Sequence, residues 1–198
     1  MPERKKIGIF FFDEMEELDA VGPWEVLRWW TLRFPDDGYD VVSFSRTDTM
    51  VRCARGLRVT ADTSMSELGD LEVLMYPGGR GTRAHLLDAP LLDWLRRQRP
   101  NTPLMTSVCT GSLVYAAAGL LKGRPATTHW ASLELLGEID PSVLVDADAR
   151  FVDDGDVVTS AGVSAGIDMA LHLVARLVSI ERARQVRRGI QYDPAPPV

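Results

Sequence analysis

Cys109 is the residue in this 198-residue sequence best placed to do chemistry. The surrounding run, 103–119, reads PLMTSVCTGSLVYAAAG. Its apolar, β-prone part (Leu104 to Val108) stops at the cysteine. Small residues follow (Thr110, Gly111, Ser112), and then a helix-like apolar run, Leu113 to Ala118. Strand, sharp turn, helix is the geometry of a nucleophile elbow, and Ser107-Cys109-Gly111 repeats the spacing of G-x-S-x-G with sulfur in place of oxygen. A thiol at a helix N-terminus meets partial positive charge and free N–H groups, which favour thiolate. A free cysteine is more commonly a small buried hydrophobe, but the small residues that clear space around Cys109 favour the nucleophile.

A thiolate needs a group that handles protons. Cysteine hydrolases take a histidine for this, oriented by a third polar group. The sequence offers His85, His129 and His172. His172 lies in an apolar helical run and reads as structural; His85 follows a glycine loop on an exposed helix. His129, in Thr127-Thr128-His129-Trp130, is the best of the three, yet a helix start flanked by hydroxyls equally suits a capping or packing histidine. The other source is an acidic loop, where Asp13, Glu14, Glu16, Glu17 and Asp19 crowd into seven positions. A buried carboxyl has a raised pKa and can hold a proton to share with a thiolate or substrate. Spacing does not choose among the five acids. Asp19 is preferred because apolar Leu18 and Ala20 flank it and it directly precedes Gly22-Pro23. A metal site built from these acids has no histidine to complete it and carries little weight.

A second loop, Pro77-Gly78-Gly79-Arg80-Gly81, has three glycines in four residues. Glycine lets backbone N–H groups approach a ligand closely, as an oxyanion hole requires. No Gly-Lys-Ser/Thr follows, so this is not a phosphate loop.

The elements that position these groups follow from periodicity. Ile7–Phe12 reads as a strand buried on both faces, Gly22-Pro23 opens a helix to about Trp30, and Tyr39–Ser45 and Leu57–Ala61 read as strands with a turn at Arg55-Gly56. Cys53, in that polar connection, reads as an incidental surface cysteine. Leu71–Tyr76 is a strand ending at the glycine loop, a helix runs to about Arg99, and another begins near His129. Residues 143–152 are strand-like, an acidic turn over 153–156 follows, and Val157–Ala161 is a further strand. Ala165–Val178 is a helix with Ile167, Leu171, Val174 and Val178 as its buried stripe. A last helix from Ser179/Ile180 carries Arg182, Arg184, Arg187 and Arg188, read as a solvated face. Strands alternating with helices imply an α/β fold with a mostly parallel sheet and one domain over 1–190, followed by a Pro-rich extended tail at 191–198. Ligands in such sheets bind outside the carboxyl ends of the strands, where the loops at Asp13–Asp19, Gly78–Gly81 and Cys109–Gly111 converge.

Composition narrows the class. The 45% hydrophobic and 25% charged content is that of an ordinary globular protein, and a net charge of −6 argues against a nucleic-acid partner. Two cysteines give no disulfide framework and fit a reducing cytoplasm. The opening MPERKK-IGIFFF has about six apolar residues, short of a signal-peptide core, and no run approaches the ~20 of a membrane span.

The motifs together resemble the ThiJ/PfpI superfamily, the class I glutamine amidotransferase-like proteins, and within it the isocyanide (isonitrile) hydratase branch. The matching pieces are Glu17-Leu18-Asp19-Ala20-Val21-Gly22-Pro23, Tyr76-Pro77-Gly78-Gly79, Thr106 to Leu113, Ala117 to Leu121, Ala126 to Trp130, Gly162, Ala165 to Asp168 and Ala195-Pro196-Pro197. The resemblance implies a flavodoxin-like α/β sandwich, a homodimer and a small-molecule substrate. It implies Cys109 as nucleophile, Asp19 as its acidic partner and Thr110 as a supporting residue. Gly78, Gly79 and Gly162 would line the oxyanion or substrate-binding side, with N–H groups near Gly79 and Thr110 as donors, and with no cofactor or metal. Protease-like members carry Cys-His at the elbow where this chain has Thr110, and other branches use glutamate where it has Asp19. The same motifs occur in the sensor half of AraC-type transcription regulators, a binding rather than a catalytic role; the chain stops at Val198, about where a linker to a DNA-binding domain would begin. An oxidation-sensing stress protein is a third expectation, resting on an exposed, low-pKa thiol.

Overall fold

The structure, a computed structural model, describes residues 4–47 and 49–194. In chain order its elements are β1 (Lys5–Phe10), α1 (Glu17–Arg33), β2 (Tyr39–Ser45), β3 (Met50–Arg52), β4 (Arg58–Thr60), β5 (Thr63–Ser64), β6 (Val73–Tyr76), α2 (Thr82–His85), α3 (Ala89–Gln98), β7 (Leu104–Val108) and α4 (Gly111–Ala117). They continue with β8 (Pro125–Ala126), α5 (Leu133–Ile139), β9 (Leu144–Val145), β10 (Phe151–Asp153), β11 (Val157–Ser160), α6 (Ala165–Leu177) and α7 (Ile180–Gly189). Seven strands form the main sheet in the order β10-β11-β7-β6-β1-β2-β5. All its pairings are parallel except β10 with β11.

This is an α/β sandwich. Helices α1, α6 and α7 pack together, and α2, α3 and α5 gather on α4. Both sheet faces are covered along β1 from Ile7, β6 and β7; Ile7, Ile9, Val73, Leu74, Met75 and Met105 are fully buried, as are the polar Thr106 and Ser107 of β7. The strand order reverses between β1 and β6, so the loops leaving β1, β6, β7 and β11 meet above the carboxyl ends of adjacent strands.

Several boundaries differ from expectation. The first helix begins at Glu17, not at Gly22-Pro23, and Pro23 sits inside it. An internal proline removes one backbone hydrogen bond. Its ring is accommodated because α6 crosses there at Gly166, where a Cβ would lie 3.2 Å from Pro23 Cγ. Asp19 is therefore a first-turn helix residue, in the buried stripe Asp19, Pro23, Val26, Leu27 and Trp30. β3 and β4 form a small antiparallel hairpin, with the Arg55-Gly56 turn between them and Gly56 at φ +100. Cys53, in the connection of that hairpin, is buried at 1% exposure and not on the surface. In α6 the buried stripe is Ala165, Met169 and Leu173 with Gly166, Ala170 and Val174. Ile167, which packs against Gly22 of α1, and Leu171 are only half-buried, and Val178, at the end of the helix, is 37% exposed. The expected strand over 143–152 is two short pieces, β9 and β10. Of the expected tail, residues 192–194 lack regular structure, and Ala195–Val198 lie outside the described residues. Among the described residues no helix is long and apolar enough to cross a membrane.

Candidate active site

Cys109 follows the last residue of β7 and has φ +56, a left-handed conformation that costs an L-residue about 1–2 kcal/mol. That backbone is over-determined by its surroundings. The Cys109 amide donates to the Ser160 and Ala161 carbonyls at 3.1 and 3.2 Å. Its carbonyl accepts from Thr128 Oγ1 at 2.8 Å and Ser112 Oγ at 3.1 Å. Gly111 is required behind it, since a Cβ there would lie 2.2 Å from the Tyr76 carbonyl oxygen. The expected elbow is thus formed by β7, the left-handed cysteine and α4.

Asp19 comes from the other side and is fully buried. Its Oδ2 accepts from the Gly78 amide at 2.9 Å. Its Oδ1 has no partner of normal hydrogen-bond geometry, although the Cys109 thiol and the Val163 amide lie close enough to affect the carboxyl's titration. Burial is the largest influence and raises the Asp19 pKa to about 7, opposed by the Gly78 amide and the Cys109 thiol. Cys109 is 5% exposed. Burial, and then the Asp19 charge, push its thiol up to about 12, against the Thr110 and Val163 amides that face the sulfur. The expected exposed, low-pKa thiol is thereby corrected: desolvation outweighs the turn's N–H groups. What the site holds is a buried carboxyl–thiol pair, two acids close enough to shift each other's titration.

The glycine loop is the scaffold of that pair. A Cβ on Gly78 would lie 2.5 Å from the Thr110 nitrogen, 2.7 Å from Thr110 Oγ1 and 2.8 Å from Asp19 Oδ2. No larger residue fits between the acid and the elbow. Gly79 has φ +118 and pairs with Met15, and its amide donates to Thr110 Oγ1 at 2.9 Å. The Gly78 and Gly79 amides are thus engaged by Asp19 and Thr110, while the Thr110 and Val163 amides point at the sulfur.

Thr82, fully buried at the start of α2, extends the network. Its Oγ1 donates to the Gly79 carbonyl at 2.7 Å and lies 3.1 Å from Thr110 Oγ1, while Arg83 Nη1 donates to it at 3.1 Å. Val163 is a β-branched residue at φ +50, held so that its amide faces both acids. Neither residue carries a sequence signal: a threonine after a glycine loop and a valine before a helix are ordinary.

The histidines fall elsewhere. His129 is half-buried, its Nδ1 accepts from the Ala131 amide at 3.2 Å, and its ring packs where a Gly162 Cβ would fall, 2.4 Å from Cδ2. Gly162, having no Cβ, makes room for that ring. His85 is half-buried rather than exposed, with Nδ1 2.7 Å from the Tyr76 hydroxyl. His172 Nε2 pairs with Asp153 at 2.6 Å on the far flank of α6. The remaining acids of the first loop serve structure: Glu17 accepts from the Arg55 and Leu57 amides, Asp13 from Arg52, and Glu14 and Glu16 pair with Arg80 and Arg55. Among the described residues no three His, Cys, Asp or Glu side chains converge as a metal site.

A model of the DJ-1/PfpI family matches residues 5–176. The isonitrile hydratase of Pseudomonas putida is 38% identical over 192 residues, covering 97% of this chain and 80% of that one. The HTH-type transcriptional regulator CdhR of Pseudomonas aeruginosa is 34% identical over 88% of this chain, which spans half of that protein. Among solved structures, a ThiJ/PfpI family protein from Pseudomonas syringae superposes with a TM-score of 0.87 at 32% identity, covering 98% of this chain and 78% of that one.

Proposed function

Because this chain belongs to the DJ-1/PfpI family, we propose that it is a cofactor-independent cysteine enzyme that hydrates isocyanides to N-substituted formamides. The observation that carries this is the Cys109–Asp19 pair: a nucleophile and a carboxyl whose pKa is raised to about 7, buried against each other beside Gly78. A carboxyl poised near neutrality transfers protons efficiently in both directions. Similarity to the P. putida isonitrile hydratase supports the choice of electrophile.

In the active form one proton is shared by the pair. Cys109 sulfur attacks the terminal carbon of R–N≡C while Asp19 gives its proton to that same carbon, forming the thioimidate R–N=CH–S–Cys109. Asp19, now a carboxylate, takes a proton from water as the oxygen adds to the carbon and passes it to the nitrogen, giving R–NH–CH(OH)–S–Cys109. This adduct collapses with cleavage of C–S as its hydroxyl proton goes to Asp19, releasing R–NH–CHO and returning the pair, one proton shared, to its starting state. Thr110 keeps the Gly79 loop, and through Gly78 the acid, in place. Leu18 and Val21, at 39% and 36% exposed on either side of Asp19, favour a homodimer in which a second copy covers that side of α1.

The test is incubation with p-nitrophenyl isocyanide, following formamide with wild type and with Cys109→Ala. Product from wild type and none from the variant is expected. Absence of product across several isocyanides favours instead a ligand-sensing role, which the match to half of CdhR supports.

A further inference from the structure

Arg83, the second residue of α2, is an exposed arginine whose guanidinium meets no carboxylate among the described residues. Nearby Arg80 pairs with Glu14. Arg83 instead donates to two hydroxyls, from Nη1 to Thr82 Oγ1 at 3.1 Å and from Nη2 to Ser132 Oγ at 3.4 Å. Thr82 and Ser132 are both buried, so the head of this exposed side chain is engaged by buried polar groups. Each hydroxyl belongs to a segment that holds one residue of the elbow. Thr82 Oγ1 lies 3.1 Å from Thr110 Oγ1. Ser132 closes the short turn Trp130–Ser132, its amide donating to the His129 carbonyl at 2.7 Å. Thr128, one residue earlier, donates to the Cys109 carbonyl at 2.8 Å. Among the described residues no other hydrogen bond joins the start of α2 to the 128–132 segment.

The guanidinium also sets the direction of a hydroxyl. Thr82 has one O–H and two acceptors within reach, the Gly79 carbonyl at 2.7 Å and Thr110 Oγ1 at 3.1 Å. A guanidinium only donates, so Arg83 occupies a lone pair of Thr82 Oγ1. A charged donor on one side of a hydroxyl strengthens the bond it gives on the other, and the nearer acceptor is the Gly79 carbonyl. Gly79 in turn gives its amide to Thr110 Oγ1 at 2.9 Å, and Gly78 beside it holds Asp19. Arg83 is not among the main influences on the titration of Asp19 or Cys109, so its part in the site is geometric.

We propose that Arg83 is a positioning residue for the active site: its guanidinium bridges Thr82 and Ser132, fixes the Thr82 hydroxyl on the Gly79 carbonyl, and keeps the two segments that hold Thr110 and Cys109 in register. It acts through Thr82 and Ser132 and not on the reacting atoms. Only the kinetic part of its test rests on the isocyanide reaction proposed above.

Two variants of the intact chain separate geometry from charge. Arg83→Met keeps the aliphatic stem and removes both donors; Arg83→Lys keeps the charge and loses the planar fork that spans two hydroxyls. With p-nitrophenyl isocyanide, Arg83→Met is expected to lower kcat about three- to tenfold, the size of a lost hydrogen bond, with KM within about twofold of wild type. Arg83→Lys should recover less than about half of that loss. Added to Thr82→Val, Arg83→Met should cost no more than about a further twofold, because its hydroxyl partner is already gone. Full rescue by lysine, or losses that multiply in the double variant, overturn the assignment. Hydrogen exchange of the free protein, read by mass spectrometry, gives a second measurement without substrate. Arg83→Met should speed exchange in peptides covering 78–84, 107–113 and 128–133 and leave the rest of the chain unchanged. Exchange that is unaltered in those peptides, or faster throughout the chain, overturns the assignment. If wild type hydrates no isocyanide, the proposed reaction fails and the exchange pattern alone decides the role of Arg83.

Discussion

Asp19 and Cys109 meet across Gly78: the Gly78 amide holds Asp19 Oδ2 at 2.9 Å, the thiol lies against the carboxyl, and no atom beyond glycine's fits between them. The carboxyl comes from a helix on one side of the sheet and the thiol from the end of a central strand. Their chemistry is therefore a property of the packing of α1 against the β7 elbow.

If the thiol is the nucleophile and the carboxyl its proton carrier, removing each has a different size of effect. Cys109→Ala should leave no measurable isocyanide hydration. Asp19→Asn should lower kcat by about 10²–10⁴, the range of general acid–base catalysis. Formamide formation measured for both variants checks this, and full activity in either sinks the scheme.

The pH profile follows from the raised carboxyl. Below about pH 7 both members of the pair are protonated and no nucleophile is available; above it one proton is shared. kcat/KM should rise through about pH 7 and stay high until the thiol's own titration far into the alkaline range. A flat profile across pH 6–8 would contradict the pairing.

Stability should move in the opposite direction. Asp19 titrates near 3.8 when exposed and near 7 when folded, so between these values the folded chain binds more protons than the unfolded one. The stabilisation is fully present below the unfolded value and is lost as pH rises through the folded one, by roughly 4 kcal/mol. Urea denaturation at pH 5 and pH 8 should show wild type weakening with pH and Asp19→Asn largely insensitive.

The left-handed backbone at Cys109 makes an unusual comparison. Glycine normally destabilises relative to alanine. At this position Cys109→Gly should be more stable than Cys109→Ala by about 1 kcal/mol, because glycine adopts φ +56 without strain. Both variants are inactive, so denaturation midpoints isolate the backbone term.

Thr82→Val keeps the shape of the side chain and removes its hydroxyl from the Gly79 carbonyl and Thr110. Activity should drop about tenfold, with kcat affected more than KM, because the loop that holds Asp19 loses its anchor. Thr82→Ser, which restores the hydroxyl, should recover most of it.

The sequence by itself determined the elbow, because a β-prone run ending in Cys-Thr-Gly-Ser dictates strand, tight turn and helix locally. It determined the mostly parallel sheet, because strands alternating with helices imply crossover connections; Tyr39–Ser45 and Leu104–Val108 fall where the local reading puts them. It also picked out Asp19 among five acids, through its apolar neighbours. Only the tertiary structure decided how that acid is presented. Pro23 reads as a helix start from local rules, yet α6 crosses at Gly166 and lets the helix begin a turn and a half earlier, which turns Asp19 into the buried stripe. The same packing decided the sign of the cysteine's pKa shift. A turn rich in N–H groups favours thiolate, but burial beside a carboxyl costs more than those donors return, and burial depends on contacts between residues far apart in the chain. Thr82 and Val163 lie beyond local reading for the same reason: each acts through a backbone or hydroxyl group whose partner is set by the fold.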